Sequence, residues 1–351
     1  METRIHPSLR TVEWKDNTVV MVDQTKLPNE LVYVKYTDYK DVAEAIRNLV
    51  VRGAPAIGVS GAFGLALAAL GSKASGMEDF LKDMEQARKI LFETRPTAVN
   101  LAWGLERIMN VARMGKDPVE TRKKVIEEAK KMAEEDIEIN MRMGKNGSQL
   151  FSDNDTIMTH CNAGALATVA YGTALGVIRA TKESGKKIRV IATETRPVMQ
   201  GSRLTAFELK HDGIDVSLIP DTAVGYSMAN GLVSKVIVGA DRILRTGHVY
   251  NKIGTYQVAL MAKQHGIPFY VAAPLSTFDM KSTPKDVVIE QRKASEVTGV
   301  AGRKTAPDDI NVINPAFDMT PPELIAGIIT EAGVARPPFE ESIKKLFGQG
   351  P

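Results

Sequence analysis

Cysteine is the scarcest residue of this sequence. Cys161 is the single cysteine among 351 residues. An intrachain disulfide is therefore impossible, and a reducing, cytoplasmic location is expected. The first ten residues, METRIHPSLR, contain no apolar core of signal-peptide length, which also argues against secretion.

Neither an excess of one charge nor a long hydrophobic run is present. The net charge is only +3, and the basic residues are spread along the chain, which argues against binding to nucleic acid or to a membrane surface. The most apolar stretch, residues 54–70, contains glycine, alanine and a proline, so a buried helix is predicted there rather than a bilayer span. The length allows two domains of ordinary size.

Motifs for metals and large cofactors are missing as well. The sequence has no glycine-rich phosphate loop of the ATPase type, no dinucleotide fingerprint, no histidine pair at helical spacing and no clustered cysteines. Neither a metal nor a cofactor is therefore expected. A small phosphate ester remains open as a ligand, because binding it needs only a few basic side chains.

The first part of the chain predicts a small β-meander followed by helices. Residues 11–14 and 18–22 flank a turn at 15–17, and residues 31–36 form a third strand. Helical patterns follow at 41–51, 55–70, 77–93, 99–114 and 118–143. Gly53 is a natural stop for the first helix. The last helix is long and heavily charged, as expected of a helix that bridges two domains. These patterns place an N-terminal domain at residues 1–145.

After residue 145, short apolar strands alternate with helices. The predicted strands are residues 156–160, 188–193, 216–219, 235–240 and 269–273. This alternation predicts an α/β domain over residues 146–351 with a mostly parallel sheet. Ligands in such folds bind at the carboxyl ends of the strands. Five residues lie just past those ends: Cys161, Glu194, Asp221, Asp241 and Pro274.

Cys161 has two interpretations of equal weight on position alone. It follows a strand and precedes a run of small residues predicted to be helical, and a helix N-terminus stabilises a thiolate. A lone cysteine is also often a buried small hydrophobe. Its neighbour His160 points to the opposite face of the strand, so a cysteine–histidine pair is discounted and His160 is interpreted as a structural hydrogen-bonding residue.

Asp241 follows the apolar run 236–240. Desolvation there would favour the protonated carboxyl group, which is useful as a general acid. An aspartate after a strand is also a common helix or turn cap. The aspartate alone does not decide between these alternatives.

Several segments could bind an anion or a sugar. Residues 52–58 (RGAPAIG) join an arginine to a glycine turn and a helix start, which can bind phosphate, although the same pattern arises for purely structural reasons. Arg95 lies in a second loop, Gln200 can bond sugar hydroxyls, and Lys252 precedes a further helix. Each residue is ambiguous by itself.

Taken together, these segments resemble one family, the methylthioribose-1-phosphate isomerases, which are related to archaeal ribose-1,5-bisphosphate isomerase and to regulatory subunits of the eukaryotic initiation-factor exchange complex. The matching motifs, in chain order, are 22–28 (VDQTKLP), 52–58 (RGAPAIG), 94–101 (TRPTAVNL), 159–164 (THCNAG), 194–201 (ETRPVMQG), 239–242 (GADR), 251–255 (NKIGT) and 314–317 (NPAF). Several long motifs in the right order are highly specific.

The resemblance implies a role for each matching residue. It implies that Cys161 and Asp241 are catalytic. It also implies a Rossmann-like C-terminal domain, a homodimer and a place in methionine salvage. The implied substrate contacts are Arg52, Gly53, Ala54, Arg95, Gln200, Asn251 and Lys252. The chain departs from the family at residues 246–250 (TGHVY), where bacterial members have an Asn-Gly-Asp type loop, and this leaves the fine substrate preference open.

Two alternatives stay open beside this expectation. A close relative would isomerise ribose 1,5-bisphosphate or a 5-deoxyribose 1-phosphate with the same catalytic pair, and residues 23–28 favour the methylthioribose group. A regulatory subunit of a translation-factor complex would not need Cys161 and Asp241, and the presence of both favours an enzyme.

Overall fold

The computed structural model describes residues 9–96, 98–300 and 302–348. These residues form two compact units. The first is drawn from Met1–Asn140 and Gly164–Gly172, and the second from Met141–Ala163 and Thr173–Pro351. Each unit has its own hydrophobic core.

The first unit begins with an antiparallel sheet of three strands. They are β1 (Val12–Lys15), β2 (Thr18–Val22) and β3 (Tyr33–Tyr36), in that order across the sheet. Asp16 and Asn17 connect β1 to β2 with φ angles of +50° and +57°. Two consecutive residues with positive φ are typical of the tight turn that matches the twist of a hairpin. The predicted β-meander is confirmed.

Five helices complete the first part of the chain. They are α1 (Tyr39–Arg47), α2 (Ala54–Gly71), α3 (Met77–Phe92), α4 (Val99–Arg113) and α5 (Pro118–Ser148). The prediction that the first helix stops at Gly53 is wrong. The helix ends at Asn48, whose N–H bonds back to Glu44, and Leu49 takes a left-handed φ of +61°. The left-handed residue after this helix is therefore Leu49 and not a glycine, and the sequence pattern gave no sign of this.

Helix α2 is the centre of the first unit. It packs closely on α4 through glycines, since a Cβ at Gly104 would meet the carbonyl oxygen of Gly58 at 2.6 Å. Its length and composition would also suit a membrane span, but 78% of that stretch is buried inside the structure. Such burial is typical of a core helix, as predicted.

The second unit is built on a seven-stranded sheet in the order β16-β15-β10-β7-β4-β5-β6. All neighbouring pairs are parallel except β15–β16. The strands of this sheet are β4 (Thr156–Thr159), β5 (Arg189–Thr193), β6 (Asp215–Ile219), β7 (Lys235–Val238), β10 (Phe269–Ala272), β15 (Gly327–Thr330) and β16 (Gly333–Ala335). The predicted α/β fold, with a parallel sheet in the C-terminal part and a smaller N-terminal meander with helices, is confirmed.

Smaller elements surround this sheet. A four-stranded sheet has the order β11-β8-β9-β14, and β12 pairs with β13. These strands are β8 (Arg242–Leu244), β9 (Val249–Lys252), β11 (Phe278–Asp279), β12 (Gly299–Val300), β13 (Arg303–Lys304) and β14 (Phe317–Thr320). The helices are α6 (Ala174–Glu183), α7 (Ala206–His211), α8 (Val224–Ala229), α9 (Thr255–Gln264), α10 (Ser295–Thr298) and α11 (Phe339–Gly348).

The chain between β4 and α6 differs from the expectation. Instead of a helix directly after Cys161, a single 3-10 turn covers Ala165–Ala167 and α6 starts only at Ala174. The backbone at Gly172 has a φ of +87°, and a Cβ there would meet Gly164 at 2.4 Å. The segment folds tightly on itself, so α6 does not begin next to the thiol and the stabilisation of the thiolate expected from the dipole of that helix is not present.

Candidate active site

The residues predicted at the sheet edge do lie there. Cys161, Glu194, Asp221, Asp241 and Pro274 follow β4, β5, β6, β7 and β10, which are neighbours in the sheet and run parallel. Parallel strands bring their carboxyl ends to one edge, and this edge is where ligands bind in such folds. The edge therefore collects one thiol and several carboxylates.

Cys161 is held by its main chain in an unusual backbone shape. Its φ is +64°, which costs a residue other than glycine on the order of 1–3 kcal/mol. Its N–H donates to Thr195 Oγ1 at 2.9 Å, and its carbonyl accepts from Thr205 Oγ1 at 2.6 Å. The side chain is half-buried. Two hydroxyl groups from other segments thus fix the backbone that carries the thiol.

Thr195 is itself fixed by the carboxylate of Asp221. The N–H groups of Thr195 and Arg196 donate to the two Asp221 oxygens at 2.8 Å and 2.6 Å. Thr195 and Met199 have φ angles of +64° and +63°, close to that of Cys161. Left-handed residues other than glycine cluster at functional sites, because the surrounding structure has to enforce them. The loop that carries Cys161 and the loop at residues 195–199 are hydrogen-bonded to each other, and both contain such left-handed residues.

Asn162, next to the thiol, is tied to a buried ion-pair network. Its Nδ2 donates to Glu208 Oε1 at 2.9 Å, and the other oxygen of Glu208 pairs with Arg179 at 2.8 Å. Arg179 also pairs with Asp212 at 2.6 Å. A charge buried this way is retained only when its partners are complete, so the network fixes α6 and α7 behind the cysteine loop.

Gln200 is the residue at this edge that most clearly lacks a partner. It is 3% exposed, and its Oε1 accepts no hydrogen bond from any donor among the described residues. Gly201 beside it approaches β5 so closely that a Cβ would lie 1.7 Å from the carbonyl oxygen of Thr193. An unsatisfied buried oxygen costs about 1–3 kcal/mol unless a ligand satisfies it. Gln200 is thus suited to bond a ligand hydroxyl.

Asp241 opens the β8–β9 hairpin. Its N–H donates to the carbonyl of Tyr250 at 2.9 Å, and Arg242 pairs with Tyr250 in the ladder, so Asp241 lies beside Asn251. The side chain of Asp241 is exposed. The desolvation expected from the apolar run before it is therefore not found in this structure.

Asn251 and Lys252 lie on β9, opposite β14. Asn251 is buried and donates to Thr255 Oγ1 at 3.0 Å, while Lys252 Nζ lies 4.7 Å from the centre of the Phe317 ring and donates to the Ala316 carbonyl at 3.1 Å. The departing segment, residues 246–250, forms the turn of this hairpin and the first two residues of β9. The departure from the family therefore directly precedes Asn251.

Asp318 caps the helix that follows this strand. Its two oxygens accept from the N–H groups of Gly254 and Tyr256 at 2.7 Å and 3.0 Å. Burial raises the pKa of Asp318 to about 6, although the two N–H donors and the nearby charge of Lys252 oppose this rise. Asp318 holds the loop between β9 and α9 in place.

The remaining predicted contacts lie in the first unit. Gly53 has a φ of +86°, and a Cβ there would meet the Ala167 carbonyl oxygen at 2.2 Å, so the position requires glycine. Gly53 offers the first turn of α2 no side-chain cap, and Arg52 directly precedes it. Uncapped N–H groups beside an arginine are typical of a phosphate site.

Arg95 occupies a comparable place before α4. The starts of α2 and α4 are close, since a Cβ at Gly58 would meet the Asn100 carbonyl oxygen at 2.8 Å. Arg52 and Arg95, both half-buried, therefore precede two neighbouring helix starts. Thr97 of the predicted 94–97 loop lies outside the described residues.

Comparison with known proteins assigns the chain to a protein family. A model of the Initiation factor 2 subunit family matches residues 50–337. The chain belongs to this family. Within it, the chain is 55% identical over 340 residues to the methylthioribose-1-phosphate isomerase of Thermosipho melanesiensis, covering 96% of this chain and 98% of the relative. The resemblance drawn from the motifs is confirmed.

Two solved structures of the family are similar over nearly the whole chain. One is 5-methylthioribose 1-phosphate isomerase from Pyrococcus horikoshii OT3, with a TM-score of 0.94, 47% identity and 99% coverage of both chains. The other is described as translation initiation factor eIF-2B, subunit delta, from A. fulgidus, with a TM-score of 0.92, 50% identity and coverage of 97% of this chain and 100% of that chain. The names of these two neighbours differ although their likeness to this chain is nearly equal.

Sequence reasoning missed several residues that build this edge. Thr195 and Thr205 fix the Cys161 backbone, and Asp318 caps the loop after Lys252. A threonine or aspartate far along the chain gives no local signal for such a contact. Among the described residues, no group of three or more His, Cys, Asp or Glu side chains is arranged to hold a metal ion.

Proposed function

We propose that this protein is an aldose–ketose isomerase that converts 5-methylthioribose 1-phosphate to 5-methylthioribulose 1-phosphate, a step of methionine salvage. The observation that carries the proposal is the full-length likeness, at 55% identity, to a relative named for that activity. The sheet edge supports it, because it carries a thiol and an acid beside polar groups suited to a sugar.

The reaction needs an acid for a chemical reason. The anomeric oxygen of the substrate is a phosphate ester, so the ring cannot open by ordinary mutarotation. In the proposed mechanism, Asp241 protonates the ring oxygen as its bond to C1 breaks. A hydrogen then moves from C2 to C1, and the C2 hydroxyl becomes the ketone as its proton passes to the Asp241 carboxylate left by the first step. The ring-opening proton thus ends on the former ring oxygen.

Cys161 assists the transfer from C2 to C1 in this proposal. It acts either as the base that removes the C2 proton and returns it to C1, or by steadying a direct hydride shift. Substrate deuterated at C2 distinguishes the two routes by NMR of the product. Extensive loss of deuterium to solvent would eliminate the hydride shift, whereas full retention at C1 weakens proton transfer.

The proposed substrate contacts fall into two sets. The N–H groups at residues 53 and 54, together with Arg52 and Arg95, are suited to the phosphate by charge and by the helix start. Gln200, Asn251 and Lys252 are suited to the oxygens of the sugar.

The substrate is tested against its two alternatives, ribose 1,5-bisphosphate and 5-deoxyribose 1-phosphate, by phosphorus NMR at equal concentrations. We expect the highest kcat/KM for the methylthio sugar, since a methylthio group needs an apolar pocket and a second phosphate needs further basic donors. A preference for the bisphosphate would replace the proposed substrate. No turnover of any of the three would favour the non-catalytic regulatory subunit that the name of the A. fulgidus neighbour suggests.

A cytoplasmic homodimer is proposed as the working form. The second unit exposes apolar side chains on the edge strand β6 and on the contacting helices α8 and α9: Leu218, Tyr226, Tyr256 and Leu260. Exposed apolar side chains grouped on neighbouring elements are typical of an interface. Light scattering should give twice 38.2 kDa for the wild type. Tyr226→Asp should shift the mass towards the monomer and Tyr226→Phe should not. A monomeric wild type would contradict the homodimer.

A further inference from the structure

His160 lies between two loops that the proposed function uses. The ring is 2% exposed, and both nitrogens are engaged. Nε2 lies 2.8 Å from the carbonyl oxygen of Ile253, and Nδ1 lies 2.6 Å from Thr193 Oγ1. A carbonyl oxygen can only accept, so Nε2 carries the proton.

The ring is buried and its two hydrogen-bond partners are uncharged, which favours the neutral form, and in that form Nδ1 accepts from the Thr193 hydroxyl. Burial lowers the pKa of His160, and the charge of Lys252 acts in the same direction, while the Ile253 carbonyl and the Asp221 charge oppose it. The neutral tautomer is fixed by its partners, as is common for a histidine with a directional role.

A chain of hydrogen bonds continues from His160 to the thiol loop. Thr193 Oγ1 lies 3.3 Å from Thr195 Oγ1, and Thr195 Oγ1 accepts the Cys161 N–H at 2.9 Å. The Thr193 hydroxyl gives its proton to the histidine, so it can accept from Thr195. The Thr195 hydroxyl can donate either to Thr193 Oγ1 or to the Thr193 carbonyl, both at 3.3 Å. The bond from the Cys161 N–H to Thr195 is, with the bond from Thr205, one of two that hold Cys161 at its positive φ.

The other end of the chain is the loop at residues 251–255. Ile253 lies between Lys252 and Gly254, and a Cβ at Gly254 would lie 2.9 Å from Cε1 of the His160 ring. The ring thus packs directly on the backbone of this loop. A displacement of the loop on binding a ligand has to move the ring or break its bond to Ile253.

We propose that His160 is a positioning residue that couples the loop at 251–255 to the backbone of Cys161. The inference rests on the proposed function, in which Lys252 binds substrate and Cys161 takes part in the chemistry. It assigns a role in positioning to a residue that touches neither the reacting carbon atoms nor the phosphate.

Two amide substitutions separate the two ends of this chain. The amide of His160→Gln reaches the place of Nε2 and keeps the bond to Ile253, whereas that of His160→Asn reaches the place of Nδ1 and keeps the bond to Thr193. We expect His160→Gln to lower kcat about five- to ten-fold with KM nearly unchanged, and His160→Asn to raise KM by a similar factor with kcat nearly unchanged.

Alkylation with iodoacetamide gives a readout that does not require turnover, because Cys161 is the single thiol. We expect its rate to differ from wild type about five-fold in His160→Gln and to stay within two-fold in His160→Asn. His265→Gln, an exposed histidine at the end of α9, is the matched control and should match the wild type. Thr195→Val should reproduce His160→Gln, and adding it to His160→Gln should have little further effect.

Equal alkylation rates in the two His160 variants would overturn the coupling, because a merely structural role weakens both alike. This decision does not depend on the substrate. If the wild type fails to turn over the sugar phosphate while the alkylation rates still separate, the proposed function fails and the coupling stands. If either His160 variant fails to fold, the alkylation rates of Thr195→Val and Thr195→Ser are compared instead. The serine keeps the hydroxyl that accepts from the Cys161 N–H, and the valine loses it.

Discussion

The loop that carries Cys161 and the loop that carries Asp241 leave the same sheet edge but are held differently. The main chain of Cys161 is bonded on both sides, by Thr195 and Thr205, in a left-handed shape. Asp241 begins an ordinary hairpin, and its side chain is exposed. A second acid in this neighbourhood, the half-buried Asp318, caps α9.

The structure therefore fixes the two proposed catalytic groups, Cys161 and Asp241, to different degrees before substrate binds. The thiol is placed before substrate arrives, at a cost in backbone strain that other segments have to sustain. The carboxyl group keeps its contact with water, so the substrate has to displace that water before Asp241 is desolvated enough to hold the proton that a general acid donates.

The largest effect is expected at the thiol. Cys161→Ser should reduce kcat about 1,000-fold, because the serine hydroxyl is a far weaker base than a thiolate. Turnover is measured by phosphorus NMR, with circular dichroism to show that the variant is folded. Activity within ten-fold of the wild type would mean that Cys161 is not part of the chemistry.

A smaller loss is expected for Asp241→Asn, about 100-fold in kcat. An exposed site lets water or a buffer acid supply part of the missing proton. Added formic acid buffer should therefore restore some activity to Asp241→Asn and none to Cys161→Ser. If buffer restores neither variant and the aspartate change is the more severe, the contrast between the two loops is wrong.

The free energy of unfolding should depend on pH through the half-buried acid Asp318. The pKa of Asp318 is raised from 3.8 to about 6, so the folded state binds the proton more tightly than the unfolded state. The protonated Asp318 carboxyl group contributes its full stabilisation below about pH 4. This stabilisation is lost as the pH rises through about 6, so the free energy of unfolding falls by about 3 kcal/mol. Urea denaturation should show this fall for the wild type relative to Asp318→Asn. Parallel pH curves for the two proteins would contradict the burial of this acid.

The smallest effect is expected at Gln200. Its buried Oε1 should accept a hydroxyl of the substrate, so Gln200→Met should raise KM about ten-fold while kcat changes little. Initial rates over a range of substrate concentrations give both constants, and Gln264→Met at the end of α9 is the control. An unchanged KM would show that Gln200 does not contact the substrate.

Local patterns predicted much of the fold. The alternation of apolar runs and helices was sufficient to place Cys161 and Asp241 at the carboxyl ends of parallel strands, because strand ends are visible in the sequence, whereas the order of the strands was not predicted. The pattern failed after Cys161, where small residues suggest a helix but form a tight turn held at Gly164 and Gly172. It also gave no sign of Asp318, which reaches Gly254 only through the register of β14 on β9.

The most direct test of the account is whether the substrate protects the single thiol. Wild-type protein is alkylated with iodoacetamide in the presence and absence of saturating 5-methylthioribose 1-phosphate, equilibrated with its product, and the modification of Cys161 is followed by mass spectrometry. The account predicts that the sugar phosphate slows alkylation at least about ten-fold, whereas equal concentrations of inorganic phosphate do so far less. Alkylation at the same rate with and without the sugar phosphate would contradict the placement of the substrate at Cys161.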